Sequence, residues 1–242
     1  MTPPTTASVR DAAEECVKRG HILPHQLAAW SALDRSLTTA QRQQFTLDWR
    51  AQGSPAAPPP QRTNPLTGFP WFPQLDNPGG QGYRECQTSA IAMCLAYLKL
   101  GGIKADEDYQ RVVNQFGDTT SQEAHRKALY SLGVEARFVR NCSATEARDE
   151  IRAGRPLAMG VLHHGPASVP TGGGHWIACY GFEGEKDGSW VVNDPYGELD
   201  LVSGGWARTG GAAGRGLRYS CANLNRRWLI GGAASGWAWL FG

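Results

Sequence analysis

Several features that would announce a function are missing from this 242-residue chain. No two of its six cysteines are spaced Cys-x-x-Cys, so neither a zinc ribbon nor a thioredoxin-type redox motif is indicated. A chain this long does not need a disulfide framework, and the thiols are expected to be reduced when the protein is made. Twenty-four basic residues nearly cancel twenty-two acidic ones, leaving a net charge of +2. That balance makes no case for nucleic acid, which calls for a clustered basic face. No apolar run approaches the roughly 20 residues needed to cross a bilayer, so no membrane partner is expected. The opening Met1-Thr2-Pro3-Pro4-Thr5-Thr6 has no basic stretch and no apolar stretch. The expectation is synthesis in a cytoplasm without a signal peptide. There is no His-Glu-x-x-His and no internal repeat. Neither a metal nor an organic cofactor is expected.

What is present is unevenly distributed. Residues 1–53 read as a small helical module for targeting or assembly. Ser8 and Gly20 bound its first helix, Leu23, Leu27, Trp30 and Leu33 stripe the second, and Phe45 and Trp49 share a face of the third. Thr38 and Gln41 are spaced as a capping box. Residues 54–63 include Pro58-Pro59-Pro60 and read as a stiff, extended linker. Residues 64–242 form the second unit. Helices are expected from Cys86, over Asp106–Phe116, over Ser121–Leu132 behind a Thr120/Glu123 box, and after Ser143. Strands are expected at Val134–Arg140, Leu157–Leu162, His175–Phe182, Trp190–Asn193 and Leu199–Val202. Helices first and antiparallel strands second is an α+β order. The last forty residues are rich in Gly and Trp and read as a loop-rich extension that completes the core, with a sugar- or peptide-binding surface as the alternative.

The chemistry-bearing residues lie in three blocks. Cys86 opens an apolar, helix-like run, where a helix N-terminus favours a thiolate. Cys94, two turns further on, reads as core instead. His175 follows Gly172-Gly173-Gly174 and starts an apolar strand. His163 and His164 are rivals for the base, or line the cleft, or face solvent. Asp194 closes a strand ahead of Pro195, and the adjacent Asn193 could play the same part. Thiol, imidazole and carboxylate are the parts of a cysteine hydrolase. A side-chain amide beside the thiol would help bind an oxyanion, and Gln81, in the segment before Cys86, is one candidate, with Gln74 the other.

Phe72-Pro73-Gln74-Leu75-Asp76-Asn77, Cys86 with Thr88-Ser89 and Ala92-Met93, Gly174-His175-Trp176 and Asn193-Asp194-Pro195-Tyr196-Gly197 together carry a resemblance. The stretch from Phe69 to Gly197 resembles papain-like cysteine peptidases of the bacteriocin-processing, double-glycine leader type. It looks most like their soluble relatives among phage and bacterial cell-wall hydrolases. The resemblance implies a papain-like α+β fold with catalytic Cys86, His175 and Asp194, and Gln74 at the oxyanion. Gly174, Trp176, His163 and His164 would contact substrate. The implied substrate is a peptide, here a peptidoglycan stem or cross-link cut after lysis or delivery to the wall, with a virion or other protein as partner of residues 1–53. The alternatives are another papain-like thiol enzyme (processing protease, deamidase or transamidase) or a virion structural protein with a vestigial site.

Overall fold

A computed structural model describes residues 63–184 and 187–242, with Glu14, Thr38 and Gln41 ahead of them. The chain divides into two compact units, Met1–Gln61 and Arg62–Gly242. In the first, Thr38 and Gln41 do form the reciprocal capping box: the Thr38 N–H donates to Gln41 Oε1 at 2.8 Å, and the Gln41 N–H donates to Thr38 Oγ1 at 3.3 Å. The other helices expected before residue 53, and the proline linker, fall outside the described residues.

The second unit is α+β. Two short 3-10 turns, Gln74–Asp76 and Gly82–Arg84, lead into α1 (Cys86–Leu98). Then follow α2 (Asp106–Val113), α3 (Gln122–Ser131), β1 (Ala136–Ser143), α4 (Ala144–Arg152), β2 (Leu157–Val161) and β3 (His175–Glu183). The chain continues through β4 (Ser189–Asn193), β5 (Gly197–Leu199), β6 (Trp206–Thr209), β7 (Leu217–Ser220), α5 (Cys221–Trp228) and β8 (Ala234–Phe241). Six strands form one antiparallel sheet in the order β1-β8-β2-β3-β4-β7, and β5 pairs with β6 apart from it.

Both faces of the large sheet are covered, which is why β2 is buried at every position and β3 at nearly all. Leu157, Met159, Ile177, Cys179 and Leu240 face the layer that holds Ile151 of α4 and Leu224 and Trp228 of α5. The alternate residues Ala158, Trp176, Ala178, Trp239 and Phe241 face α1, Tyr109 of α2 and Leu129 of α3. Helix α1 lies between sheet and helices, and every residue from Gln87 to Leu95 is buried. Cys94 is wholly buried there, as core.

Three expectations about elements need correction. Ser121, not Thr120, caps α3, accepting from the Ala124 N–H; the Thr120 hydroxyl is already donated to Asp118. The strand expected at Leu199–Val202 stops at Leu199, because Asp200 Oδ1 accepts the N–H groups of Val202 and Ser203 and turns the chain. The glycine- and tryptophan-rich end is no loop-rich extension. It supplies β7, α5 and β8, and β8 sits inside the sheet between β1 and β2.

Candidate active site

The two layers meet at the start of α1. Cys86 is the first residue of that helix, half-buried, and follows an N-cap, Glu85, that makes no side-chain cap hydrogen bond. The first-turn N–H groups are therefore not claimed by a capping side chain. Strand β3 runs alongside α1 and begins at His175, which is buried. Its Nε2 lies 2.7 Å from Asp194 Oδ1, and Cys86 lines a common cleft with it, close enough to act on the charge of the ring. With Nε2 occupied by the carboxylate, Nδ1 is the nitrogen left for the sulfur. Burial works to lower the His175 pKa, but the charges of Asp194 and Cys86 and their hydrogen bonds outweigh it and carry it up to about 10. At neutral pH His175 is an imidazolium.

Asp194 is fully buried at the end of β4. Oδ1 also accepts the Tyr196 N–H at 3.2 Å, and Oδ2 accepts the Tyr219 hydroxyl at 3.0 Å. Tyr219 in turn accepts the Leu199 N–H at 2.7 Å. The Asp194 N–H donates to Gly214 O at 2.8 Å, and a Cβ at Gly214 would collide with the Asp194 carbonyl oxygen, so only glycine fits there. Asn193 is not an equivalent alternative: its amide donates to Pro70 O at 2.7 Å and accepts the Gly216 N–H at 2.8 Å. It fastens loops rather than His175. Tyr219 carried no sequence signal, because its partnership with Asp194 depends on β7 pairing with β4.

The thiol and imidazole open into a cleft of about 410 Å³. Of the residues expected to contact substrate, Gly174, Trp176 and His163 line it, and His164 does not. His164 is exposed, with its ring 4.0 Å from that of His163 and its backbone paired with Thr171. Burial, together with the nearby His175 and His164, lowers the His163 pKa to about 4, so it is neutral beside the charged His175. Trp206 stands edge-on to His175 at 4.7 Å and packs on Tyr196 at 4.5 Å. Tyr196 also lines the cleft, as do Trp206 and Trp237 from the glycine- and tryptophan-rich end, the stretch with a binding surface as its alternative reading.

Gln74 is placed differently from Cys86 and His175. It is fully buried and outside the cleft lining, with Nε2 donating to Gly82 O at 2.6 Å and Oε1 without a partner among the described residues. Its turn packs against α1 and against the Gly82–Arg84 turn. Gln81 is exposed and also lies outside that lining. The residue that lines the cleft beside Cys86 is Gln87, whose amide pairs reciprocally with Gln122 at 2.7 and 3.0 Å.

A family model, described as the Peptidase_C39-like family, matches residues 66–204, more than half of the chain. The chain belongs to the Peptidase_C39-like family. It is a cysteine peptidase with a papain-like α+β fold. Among solved structures, one described as a C39-like peptidase from Bacillus anthracis is similar at 15% identity, with a TM-score of 0.49, covering 73% of this chain and 96% of that one. The peptidase domain of Streptococcus ComA, a bi-functional ABC transporter involved in a quorum-sensing pathway, is similar at 15% identity. Its TM-score is 0.45, with 72% of this chain and 98% of that one covered. No curated protein matches the chain.

Proposed function

We propose that this peptidase cuts an amide bond in peptidoglycan, in a stem or cross-link peptide, with Cys86 as nucleophile, His175 as acid and base, and Asp194 as the residue that orients His175. The observation that carries the reaction is the His175 ring held between Asp194 and Cys86 at an uncapped helix start. With the proton of the pair already on His175, Cys86 attacks the carbonyl carbon as a thiolate. The charge that develops on the carbonyl oxygen meets the Cys86 N–H, and Gln74, buried behind that turn with one N–H on Gly82 O, has a second N–H to give. Collapse to the acyl-enzyme expels the amine, which takes the proton from His175. The now neutral imidazole removes a proton from water, the hydroxide attacks the thioester, and the Cys86 thiolate leaves beside the re-protonated His175, which restores the starting pair. The buried carboxylate keeps Nε2 engaged throughout, so Nδ1 stays aimed at the reacting atoms.

The peptidoglycan substrate is supported by the sequence resemblance to cell-wall hydrolases and by an open cleft with aromatic walls. Incubation with purified sacculi, followed by fragment masses, tests it. Release of peptide fragments that disappears with Cys86→Ala is the expected result. Intact sacculi alongside cleaved soluble peptides would point to a processing protease instead. Residues 1–53 are proposed to be a separable targeting or assembly module. A chain starting at Arg62 should still cleave a small peptide but lose activity on sacculi or its place in a larger assembly. Loss of activity on the small peptide would assign those residues to the catalytic unit.

A further inference from the structure

We propose that the cleft selects a carboxylate on its peptide substrate and that Arg140 is the residue that reads it. The inference rests on the cysteine-peptidase reading of the cleft and deepens it to a substrate class. Among the described residues the cleft is lined by two arginines and by no aspartate or glutamate. Arg84 is already committed, reaching Asp118 at 3.0 Å and Thr120 at 3.4 Å. Arg140 is exposed and makes no ion pair among the described residues. Its guanidinium lies 5.6 Å from the centre of the Phe138 ring. Phe138 is itself held against Trp239 and Trp176, at 5.4 and 6.0 Å, so the aromatic platform under Arg140 is anchored in the sheet.

The backbone gives an independent reason for where Arg140 points. Strand β1 follows β8 in regular register to Val139, opposite Ala238, and resumes at Cys142, opposite Gly236. Arg140 and Asn141 together therefore face the single residue Trp237, which is a β-bulge. A bulge re-aims the side chains at its site, and here both Arg140 and Trp237 line the cleft.

The rest of the lining is rich in donors. In the Gln87–Gln122 pair each amide nitrogen uses one N–H on the other's oxygen, and Gln122 Oε1 also accepts the Trp239 indole N–H at 3.1 Å. Each amide nitrogen keeps a second N–H. With the His175 imidazolium, the cleft offers cations and N–H groups and has no carboxylate to answer a basic substrate. A guanidinium binds a carboxylate through two parallel hydrogen bonds. The ligand is thus an acidic peptide: an Asp or Glu side chain, or a free C-terminal carboxylate, close to the bond that is cut.

The test uses the full-length protein and randomised synthetic octapeptides, prepared with free and with amidated C-termini, with cleavage sites read by mass. Enrichment of Asp or Glu at a fixed distance from the cut identifies a side-chain carboxylate. Enrichment confined to the free-terminus set identifies the terminal one. Arg140→Gln should abolish either preference and lower kcat/KM on the preferred peptide about 10- to 100-fold, through KM rather than kcat. Arg140→Glu should favour Lys or Arg at that position. No acidic preference in the wild type, or a preference that survives Arg140→Gln, overturns the proposal. A second measurement needs no turnover: the rate at which Cys86 is alkylated by anionic iodoacetate relative to neutral iodoacetamide. That ratio should fall about three- to fivefold in Arg140→Gln, and an unchanged ratio also overturns the proposal. If no octapeptide is cut, the alkylation ratio still decides the role of Arg140, and digestion of sacculi separately decides the peptidase reading.

Discussion

The two sides of Cys86 are finished differently. On the sheet side both carboxylate oxygens and the N–H of Asp194 are engaged, through His175, Tyr196, Tyr219 and Gly214. Asn193 is engaged at both ends of its amide, while His163 Nδ1 alone around this cleft wall lacks a partner among the described residues. On the side where the chain enters α1, Gln74 Oε1, Asn77 Oδ1, Glu85 Oε2 and Thr88 Oγ1 are all buried without a partner among the described residues. A buried polar atom left unpaired costs about 1–3 kcal/mol. The proton-handling side therefore contributes to the fold as well as to the chemistry. The entry side is carried by the rest of the fold and has its use in the reaction. Substitutions on the sheet side should cost stability and activity together, and those on the entry side activity alone.

The largest effects fall on the residues common to both sides. Cys86→Ala should lower kcat by at least about 10⁴-fold, and His175→Ala about as much, because groups acting as one unit are not additive. Cys86→Ala should leave the melting temperature nearly unchanged, since the thiol is only half-buried at a helix start. Near-normal turnover in Cys86→Ala, measured on any cleaved peptide, would remove the site from this cleft altogether.

Next in size is Gln74→Met, which sharpens the comparison. Losing one oxyanion donor costs about 10²–10³ in kcat. The substitution also removes an unpaired oxygen, and Gly82 O keeps its other donor, the Glu85 N–H. Stability by urea titration should therefore change by less than about 1 kcal/mol. Full kcat with a large loss of stability would make Gln74 a structural strut and Gln87 the better candidate donor.

Tyr219→Phe probes the sheet side. It strips one hydrogen bond from Asp194 and leaves the Leu199 N–H without its acceptor. The expected cost is about 1–3 kcal/mol of stability with a several-fold loss of kcat/KM. His175 also contributes here: its raised pKa means that its charged form stabilises the fold fully below about 6.5, and that this contribution is lost as pH rises through about 10. In Tyr219→Phe the alkaline loss of activity should stay near pH 10, because Asp194 Oδ1 still holds His175. A shift of that limb toward neutral pH would show that Tyr219 sets the charge of the pair.

The starts of several elements, two of the reactive ones among them, were legible in the sequence and the cleft wall was not, for reasons of range. The start of α1 at Cys86, the start of β3 at His175 and the Ser143 cap on α4, which accepts the Glu146 N–H, are local events written in neighbouring residues. The place of β8 was not legible. Its residues include Gly236 and two alanines, because Gly236 sits where any Cβ would strike the Trp228 ring, and such a run lacks the β-branched signature of a strand. The Arg140 bulge exists only in the pairing of β1 with β8, almost a hundred residues apart. Gln87 and Gln122, thirty-five residues apart, likewise meet only once α2 has packed on α1 and α3 on α2.

The smallest expected effect tests the entry side from the back. Asp106, the first residue of α2, is buried and accepts the Ser89 hydroxyl at 2.5 Å, and Ser89 accepts the Asn77 amide at 3.3 Å. This relay ties α2 and α1 to the loop that carries Gln74. Burial raises the Asp106 pKa from 3.8 to about 6 against the opposing effect of the Ser89 hydrogen bond. A carboxyl with a raised folded pKa holds its proton more tightly in the native state. Its contribution therefore favours folding below about pH 4 and is lost as pH rises through about 6. Asp106→Asn keeps an oxygen for Ser89 and cannot ionise. It should be more stable than wild type at pH 7 by on the order of 1–2 kcal/mol, with the difference closing as the pH falls to 4. Urea titrations at the two pH values decide it. A variant less stable than wild type at both would mean that an ionised Asp106 holds the relay together, and the two sides of Cys86 would then be equally self-supporting.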